Sequence, residues 1–379
     1  MKNAIIITAF DNYSYYIRTK YVEKYLRDEG YSIEILAADY DHRNKKVYRE
    51  ERDNLTLVHV KPYKKNLSFD RLISHYQFSK VSFEYMTCQN LQLIYIVAPP
   101  NILFYHASKY KKGHPGTKIV FDVEDMWPET LPISDFLYKL ASPVLSLWKL
   151  IRNRNLNCAD AIVYECNLFK EYLAPVVKVD KQGVLYFCMD GDDTGRAVKD
   201  NIGEEISFVY LGSLNNIFDS DLTAKILNSI AERKKVKLHI IGDGESKNDF
   251  LSKLQNISVM DHGIVYDEQI KHQIFSQSNF AINIMKPTVF VGLTMKSMDY
   301  FKAGMPIINN ISGDTTNLIN QYGSGYNFDG RIEKLVKWVE GLTTREYHMM
   351  CQMSRKVYDD NLTKDIFYER INALLEGIV

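Results

Sequence analysis

Runs of apolar residues without polar alternation recur along the chain and set its plan. Ala4–Thr8 is of this kind, and Leu93–Val97, Lys118–Asp122 and Ala159–Val163 read as further strands. Such runs fit strands buried on both faces, as in a parallel sheet. Stretches with helical spacing lie between them: about Tyr15–Arg27, a segment carrying His75 and Tyr76, one reaching Lys112, and about Ile133–Asn157. Ser32–Ala37, Leu55–Val60 and Gly183–Phe187 read as further strands. The opening strand, helix and strand form a βαβ unit, for which a right-handed crossover is expected.

From Ile206 the alternation starts afresh. Ser207–Leu211, Lys237–Ile241, Ile257–Val259, Ala281–Ile284 and Ile307-Ile308 read as strands. Helices are expected over about Asp221–Glu232 and from Asp267 and Asp314, and three helical segments finish the chain, the last over about Thr363–Leu375. The polar, Gly/Asp-rich stretch 189–203 is weakly patterned and marks a boundary. The expected organisation is an α/β chain of two Rossmann-like domains, 1–200 with the terminal helix 363–379, and 201–362. No unit of repeat-protein length recurs. No G-x-G-x-x-G follows the first strand, which removes the main support for a dinucleotide oxidoreductase.

Composition narrows the classes. The 379 residues are enough for two cores, and 46% hydrophobic with 25% charged residues is ordinary for a globular protein. Lysine plus arginine equals aspartate plus glutamate at 47 each, which gives no support to nucleic-acid binding. The five cysteines are scattered without C-x-x-C or Cys/His clustering, so neither a zinc site nor a disulfide framework is indicated, and a reducing cytoplasm is the expected location. The start is too short in apolar residues for a signal peptide, and no run approaches the roughly 18 needed to cross a bilayer.

Candidate chemistry concentrates at Gly292-Leu-Thr-Met295-Lys296-Ser297-Met-Asp299-Tyr-Phe-Lys-Ala-Gly304-Met-Pro306. A loop enters a helix, Gly304 stops it, and Pro306 blocks its resumption. A helix start attracts anions, and Lys296 adds a full charge there. Asp299, three positions on, can accept from a pair of sugar hydroxyls. The pattern Lys-x-x-Asp/Glu-Tyr-x-x-x-Gly-x-Pro resembles the nucleotide-sugar signature of GT-B glycosyltransferases, the family-4-like group of bacterial capsule and exopolysaccharide synthesis. The resemblance implies two Rossmann-like domains facing a cleft, with the C-terminal helix crossing back to the first. It implies a hexosyltransferase that takes a nucleotide sugar, a UDP-sugar first, to a glycan or lipid-linked acceptor. In it Asp299 holds the ribose, and Lys296, Met295, Ser297, Gly212, Ser213, Gly242 and Val265 surround the donor. Family members carry an arginine and a lysine near Ser213; this chain has Ser213, Asn215, Asn216 and Ile217, which leaves Lys296 as the leading cation. Lys286 and Arg18 are weaker candidates.

A second motif, Asp122-Val-Glu124-Asp125-Met-Trp127-Pro-Glu129, closes a strand. The simple reading is a capped helix start with a core tryptophan. The functional reading rests on strand ends being the ligand-binding edge of open α/β sheets. The motif resembles the Asp-x-x-Asp-x-Trp-Pro-Glu of the same enzymes, so Asp125, Glu124 and Asp122 are the expected catalytic acids, with Arg18, Ser14 and Trp127 on the acceptor side. Retention of anomeric configuration, no metal and no cofactor are what the resemblance implies. His106 and His114 read as structural. The helix around Leu147, Trp148, Lys149, Arg152 and Arg154 could lie on an anionic membrane, although a packed helix with a solvated basic face is the simpler reading. A peripheral membrane contact and a homodimer stay open as partners. Two other readings of the whole are a non-catalytic GT-B-like partner subunit that binds glycan, and a nucleotide-sugar 2-epimerase, which the dispersed histidines disfavour.

Overall fold

In the computed structural model, which describes residues 2–10, 17–66, 68–131, 135–189 and 195–379, the chain divides into two compact units. The first is Met1–Cys188 with Lys364–Val379, and the second is Met189–Thr363. Part of the polar stretch expected to divide the chain is held by the second unit. Ala197 donates its N–H to the carbonyl of Ala303, and Lys199 to that of Ser278.

The first unit carries strands β1 (Lys2–Thr8), β2 (Tyr31–Ala38), β3 (Tyr40–Asp41), β4 (Lys46–Val47), β5 (Leu55–Val58), β6 (Leu93–Ala98), β7 (Lys118–Val123), β8 (Ala161–Tyr164) and β9 (Gln182–Val184). Seven form one parallel sheet in the order β5-β2-β1-β6-β7-β8-β9, while β3 and β4 pair antiparallel beside it. The apolar runs are continuous because both faces are covered. Ile6, Ile33, Ile35, Tyr95 and Val120 meet Tyr21, Val22 and Leu26 of helix Ile17–Asp28, together with Phe367 and Ile371 of helix Lys364–Leu375. The terminal helix thus returns to the first unit, as the fold class requires. The alternate residues point the other way. Phe121 meets Phe104 of helix Ile102–Gly113 at 4.7 Å between ring centroids. That helix lies between helices Phe69–Thr87 and Asp135–Asn155, so these three make the second layer.

The second unit repeats the plan with β10 (Glu205–Leu211), β11 (Lys235–Ile241), β12 (Ile257–Asp261), β13 (Phe280–Asn283), β14 (Ile307–Asn309) and β15 (Gly325–Asn327). All pair parallel, in the order β12-β11-β10-β13-β14-β15. In both sheets the first long strand has its successor on one side and the return crossover on the other. This is the doubly wound order, whose reversal opens a crevice at the strands' carboxyl ends. Those crevices lie beyond β1 and β6 in the first unit and beyond β10 and β13 in the second. Helices Asn167–Leu173 and Lys247–Ser252 and the β3–β4 pair were not legible in the sequence, being too short for a periodic signal.

Candidate active site

In the second unit, backbone closeness builds the carboxyl edge. Gly212 has φ 123° and Gly242 φ 148°, and a methyl group on Gly242 would lie 2.0 Å from the Gly212 carbonyl oxygen. Only glycine fits there. Gly212 donates to the Ile241 carbonyl at 2.9 Å, and Gly242 to that of Gly263 at 2.7 Å. The turns after β10, β11 and β12 are thereby stitched side by side, with Ser213 exposed on the first and Val265 half-buried on the third.

Helix Met295–Lys302 begins beside this edge. Thr294 caps it, its side chain accepting from the Ser297 N–H at 3.2 Å. The Ser297 hydroxyl pairs with Thr294 Oγ1 at 2.7 Å and accepts from Asn283 Nδ2 at 2.9 Å. Ser297, expected to contact the donor, instead anchors the helix to β13. The N–H groups of Met295 and Lys296 have no acceptor among the described residues, and the Met295 side chain is exposed.

Lys296 is only 8% exposed. Its stem runs past Gly212, with Cδ 3.9 Å from where a Gly212 Cβ would stand. Its Nζ sits 4.7 Å from the centroid of the Tyr210 ring. Among the described residues it has no carboxylate or hydrogen-bond partner. Burial alone pushes the amine down to about 7. The ring face offers weak compensation, and a buried ammonium is costly unless it is paired. Asp299 takes a different neighbour. Lys271 Nζ, from helix Glu268–Phe275, meets its Oδ1 at 2.7 Å and also holds Glu268 at 2.7 Å. Burial pushes the Asp299 carboxyl up, while Lys271 draws it down. Lys296 and Asp299 therefore share a helix but face β10 and helix Glu268–Phe275 respectively. Tyr210 and Lys271 escaped sequence reading; the only signal for Tyr210 was its place two residues before Gly212.

In the first unit, acids gather at the carboxyl ends of β7 and β8. Asp122 is fully buried and bound in a fork by Arg18, Nε to Oδ2 at 2.8 Å and Nη2 to Oδ1 at 2.7 Å. Tyr95 donates to Oδ2 at 2.6 Å, and Arg18 Nη1 donates to the Leu185 carbonyl at 2.6 Å. Asp122 and Arg18, expected to face substrate, are thus a closed internal pair. Glu124 is nearly as buried; its Oε1 lies 3.4 Å from Arg18 Nε and accepts no hydrogen bond. Desolvation, with Asp122 and Asp125 nearby, pushes Glu124 up to about 8. Asp125 Oδ2 accepts from the Trp127 indole at 2.7 Å, and Oδ1 from the Thr130 hydroxyl. Glu165, which the sequence did not single out, is also pushed up by burial, with Asp125, Glu124 and Asp122 adding to it.

Trp127, expected on the acceptor side, is buried instead. His75 stacks on it at 5.2 Å, the Arg71 guanidinium lies 4.1 Å from its centroid, and Trp148 meets it edge-on at 5.4 Å. Ser14 lies outside the described residues. Among the described residues no group of histidine, cysteine or acidic side chains could hold a metal ion.

No protein-family model and no curated protein sequence matches the chain. Solved structures do. Sucrose-phosphate synthase from Thermosynechococcus elongatus aligns over 100% of this chain and 99% of its own, with TM-score 0.71 and 11% identity. The lipopolysaccharide outer core galactosyltransferase WaaB aligns over the whole of both chains, with TM-score 0.67 and 13% identity. HepE from Anabaena, solved in complex with UDP, also aligns over the whole of both, with TM-score 0.65 and 12% identity. With two doubly wound parallel sheets and a terminal helix returned to the first unit, this end-to-end likeness establishes the GT-B fold for the chain.

Proposed function

We propose that the chain is a glycosyltransferase that takes a sugar from a UDP-sugar and passes it to a glycan or lipid-linked acceptor, in bacterial surface-polysaccharide synthesis at the cytoplasmic side. The observation that carries this reading is Lys296: a buried amine without an anionic partner among the described residues, at the crevice of the second sheet and beside a glycine that leaves room for a ligand. A nucleoside diphosphate supplies the missing anion, and the free N–H groups at the helix start add donors to the same charge. HepE, a neighbour of the same fold, has been solved with UDP and with UDP-glucose, which supports uridine as the base. The leaving diphosphate needs charge stabilisation, and Lys296 is where this chain can supply it.

Proton handling is assigned to the first unit. Glu124, pushed up to about 8 and without a hydrogen-bond donor among the described residues, is the carrier, and Asp125 orients the loop. Asp122 and Arg18 position Glu124 rather than touch substrate. The reaction class is hexosyl transfer with retention and without metal. Calorimetry with UDP, GDP and dTDP, followed by transfer assays with the matching sugars in the presence of EDTA, tests it. The anomeric configuration of the product is then read by NMR. Failure of every nucleoside diphosphate to bind would end the reading.

A further inference from the structure

The three strands on one side of the second sheet's crevice end alike. β13, β14 and β15 close with Asn283, Asn309 and Asn327, and the register sets these residues side by side. Registered residues of parallel strands project on the same face, so a row of amides crosses the carboxyl edge. β10 and β11, on the other side of the crevice, end in Leu211 and Ile241 instead.

The amides are joined. Asn283 Nδ2 donates to Asn309 Oδ1 at 3.2 Å, and Asn309 Nδ2 donates to Asn327 Oδ1 at 2.8 Å. Asn327 Nδ2 in turn donates to the Thr316 carbonyl at 3.0 Å, on helix Asp314–Tyr322. At the other end Asn283 Nδ2 also donates to Ser297 Oγ at 2.9 Å, and Ser297 pairs with the capping hydroxyl of Thr294 at 2.7 Å. The row thus runs unbroken from helix Asp314–Tyr322 to the first turn of helix Met295–Lys302. A second tie holds the chain as it enters that turn. Thr315 donates both its N–H and its hydroxyl to the Gly292 carbonyl, each at 2.8 Å.

Asn283, Asn309 and Ser297 are fully buried. Amides there carry a desolvation cost that leucines would not, and what they give in return is direction. An apolar contact lets a helix slide, whereas a row of directed bonds in a dry interior holds one placement. The turn so held carries Lys296, together with the Met295 and Lys296 N–H groups that have no acceptor among the described residues. We propose that Asn283, Asn309 and Asn327 are positioning residues for the donor's diphosphate. They touch no substrate and act by fixing where the helix starts, and with it the cation and the N–H groups aimed at the phosphates. The proposal rests on the reading of Lys296 as the diphosphate's cation.

Binding of UDP and of uridine to the full chain tests it, UDP by calorimetry and uridine by ligand-observed NMR. Asn283→Leu keeps the side chain's size and removes its donors. UDP affinity falls about tenfold while uridine affinity stays within about twofold, because only the diphosphate reports where the helix starts. Thr294→Val, which removes the capping oxygen at equal size, gives the same split. Thr294→Ser, which keeps the oxygen, stays within about twofold of wild type for UDP. Asn327→Leu, at the far end of the row, lowers UDP affinity about threefold. Cooperative thermal unfolding is checked for each variant; if Asn283→Leu does not fold, Thr294→Val and Asn327→Leu decide. Unchanged UDP affinity in the folded variants overturns the proposal, and so do equal losses for UDP and uridine, which mark a general loosening of the second unit. Either result leaves the functional reading standing, since wild type still binds UDP. Failure of wild type to bind any of UDP, GDP and dTDP overturns that reading and this proposal together.

Discussion

Lys296 stands over the ring of Tyr210, 4.7 Å from its centroid, with no acidic group among the described residues to neutralise it. The folded amine loses its proton at about 7, the unfolded one near 10.5. Across that window the unfolded chain holds more protons, so this group makes the fold more stable as pH rises. Below it both states are charged and the full cost of burial is present. Lys296→Met fills the same space without charge. The variant is expected to be more stable than wild type at neutral pH, and the difference should shrink toward about pH 10. If Lys296 holds the diphosphate as proposed, UDP binding is expected to move oppositely. Loss of one charge-assisted contact costs about 2 kcal/mol, roughly thirtyfold in affinity, and wild-type affinity falls as pH rises past 7. Thermal unfolding and calorimetry across pH read both effects; equal UDP affinity in the variant removes Lys296 from the site.

Asp299 gives a separable test. Lys271 keeps Glu268 when Asp299 is replaced, so Asp299→Asn is expected to cost only about 1 kcal/mol of stability. If the carboxylate reads ribose hydroxyls, the variant loses affinity for UDP but much less for 2′-deoxy-UDP. Equal losses with the two ligands would make Asp299 part of the scaffold.

The sequence carried the fold further than it carried the site. Apolar runs such as Ala4–Thr8 mark strands covered on both faces, and glycine and proline punctuation marks where helices end, so both sheets could be anticipated. Side-chain partners depend on residues brought together from far apart. Asp299 meets Lys271 across 28 positions, and Asp122 meets Arg18 across 104. No local pattern encodes either. Trp127 illustrates the same limit, because a Trp-Pro turn reads alike whether its ring is open to substrate or packed against Arg71 and His75. Lys296 and Glu124 were candidates from sequence, but only the structure shows both buried and, among the described residues, without a hydrogen-bond partner.

The Arg18–Asp122 fork predicts a large and partly reversible loss of stability. Arg18→Met leaves Asp122 charged and buried, with Glu124 beside it, and is expected to cost about 3–5 kcal/mol in denaturant unfolding. Adding Asp122→Asn removes the stranded charge while leaving an oxygen for the Tyr95 hydroxyl, and should restore a substantial part. Additive losses in the double variant would show that the two side chains are not energetically coupled.

Glu124 joins stability to turnover. Its carboxyl is held at about 8 against an ordinary 4.5, so between these values the folded chain keeps a proton that the unfolded chain has lost. The stability this group contributes is fully present below 4.5 and disappears as pH rises through 8. Glu124→Gln cannot ionise. It should match wild type in acid, become the more stable protein at about pH 9, and flatten the alkaline fall in melting temperature. Its effect on catalysis has the opposite sign. An amide can still hydrogen-bond to a sugar hydroxyl but cannot carry a proton, so turnover should drop by about a hundredfold with little change in UDP affinity. The alkaline limb of the wild-type rate profile should disappear with it. A variant that gains stability in base yet keeps full turnover would place the proton carrier elsewhere, with Glu165 the neighbouring carboxyl to test next.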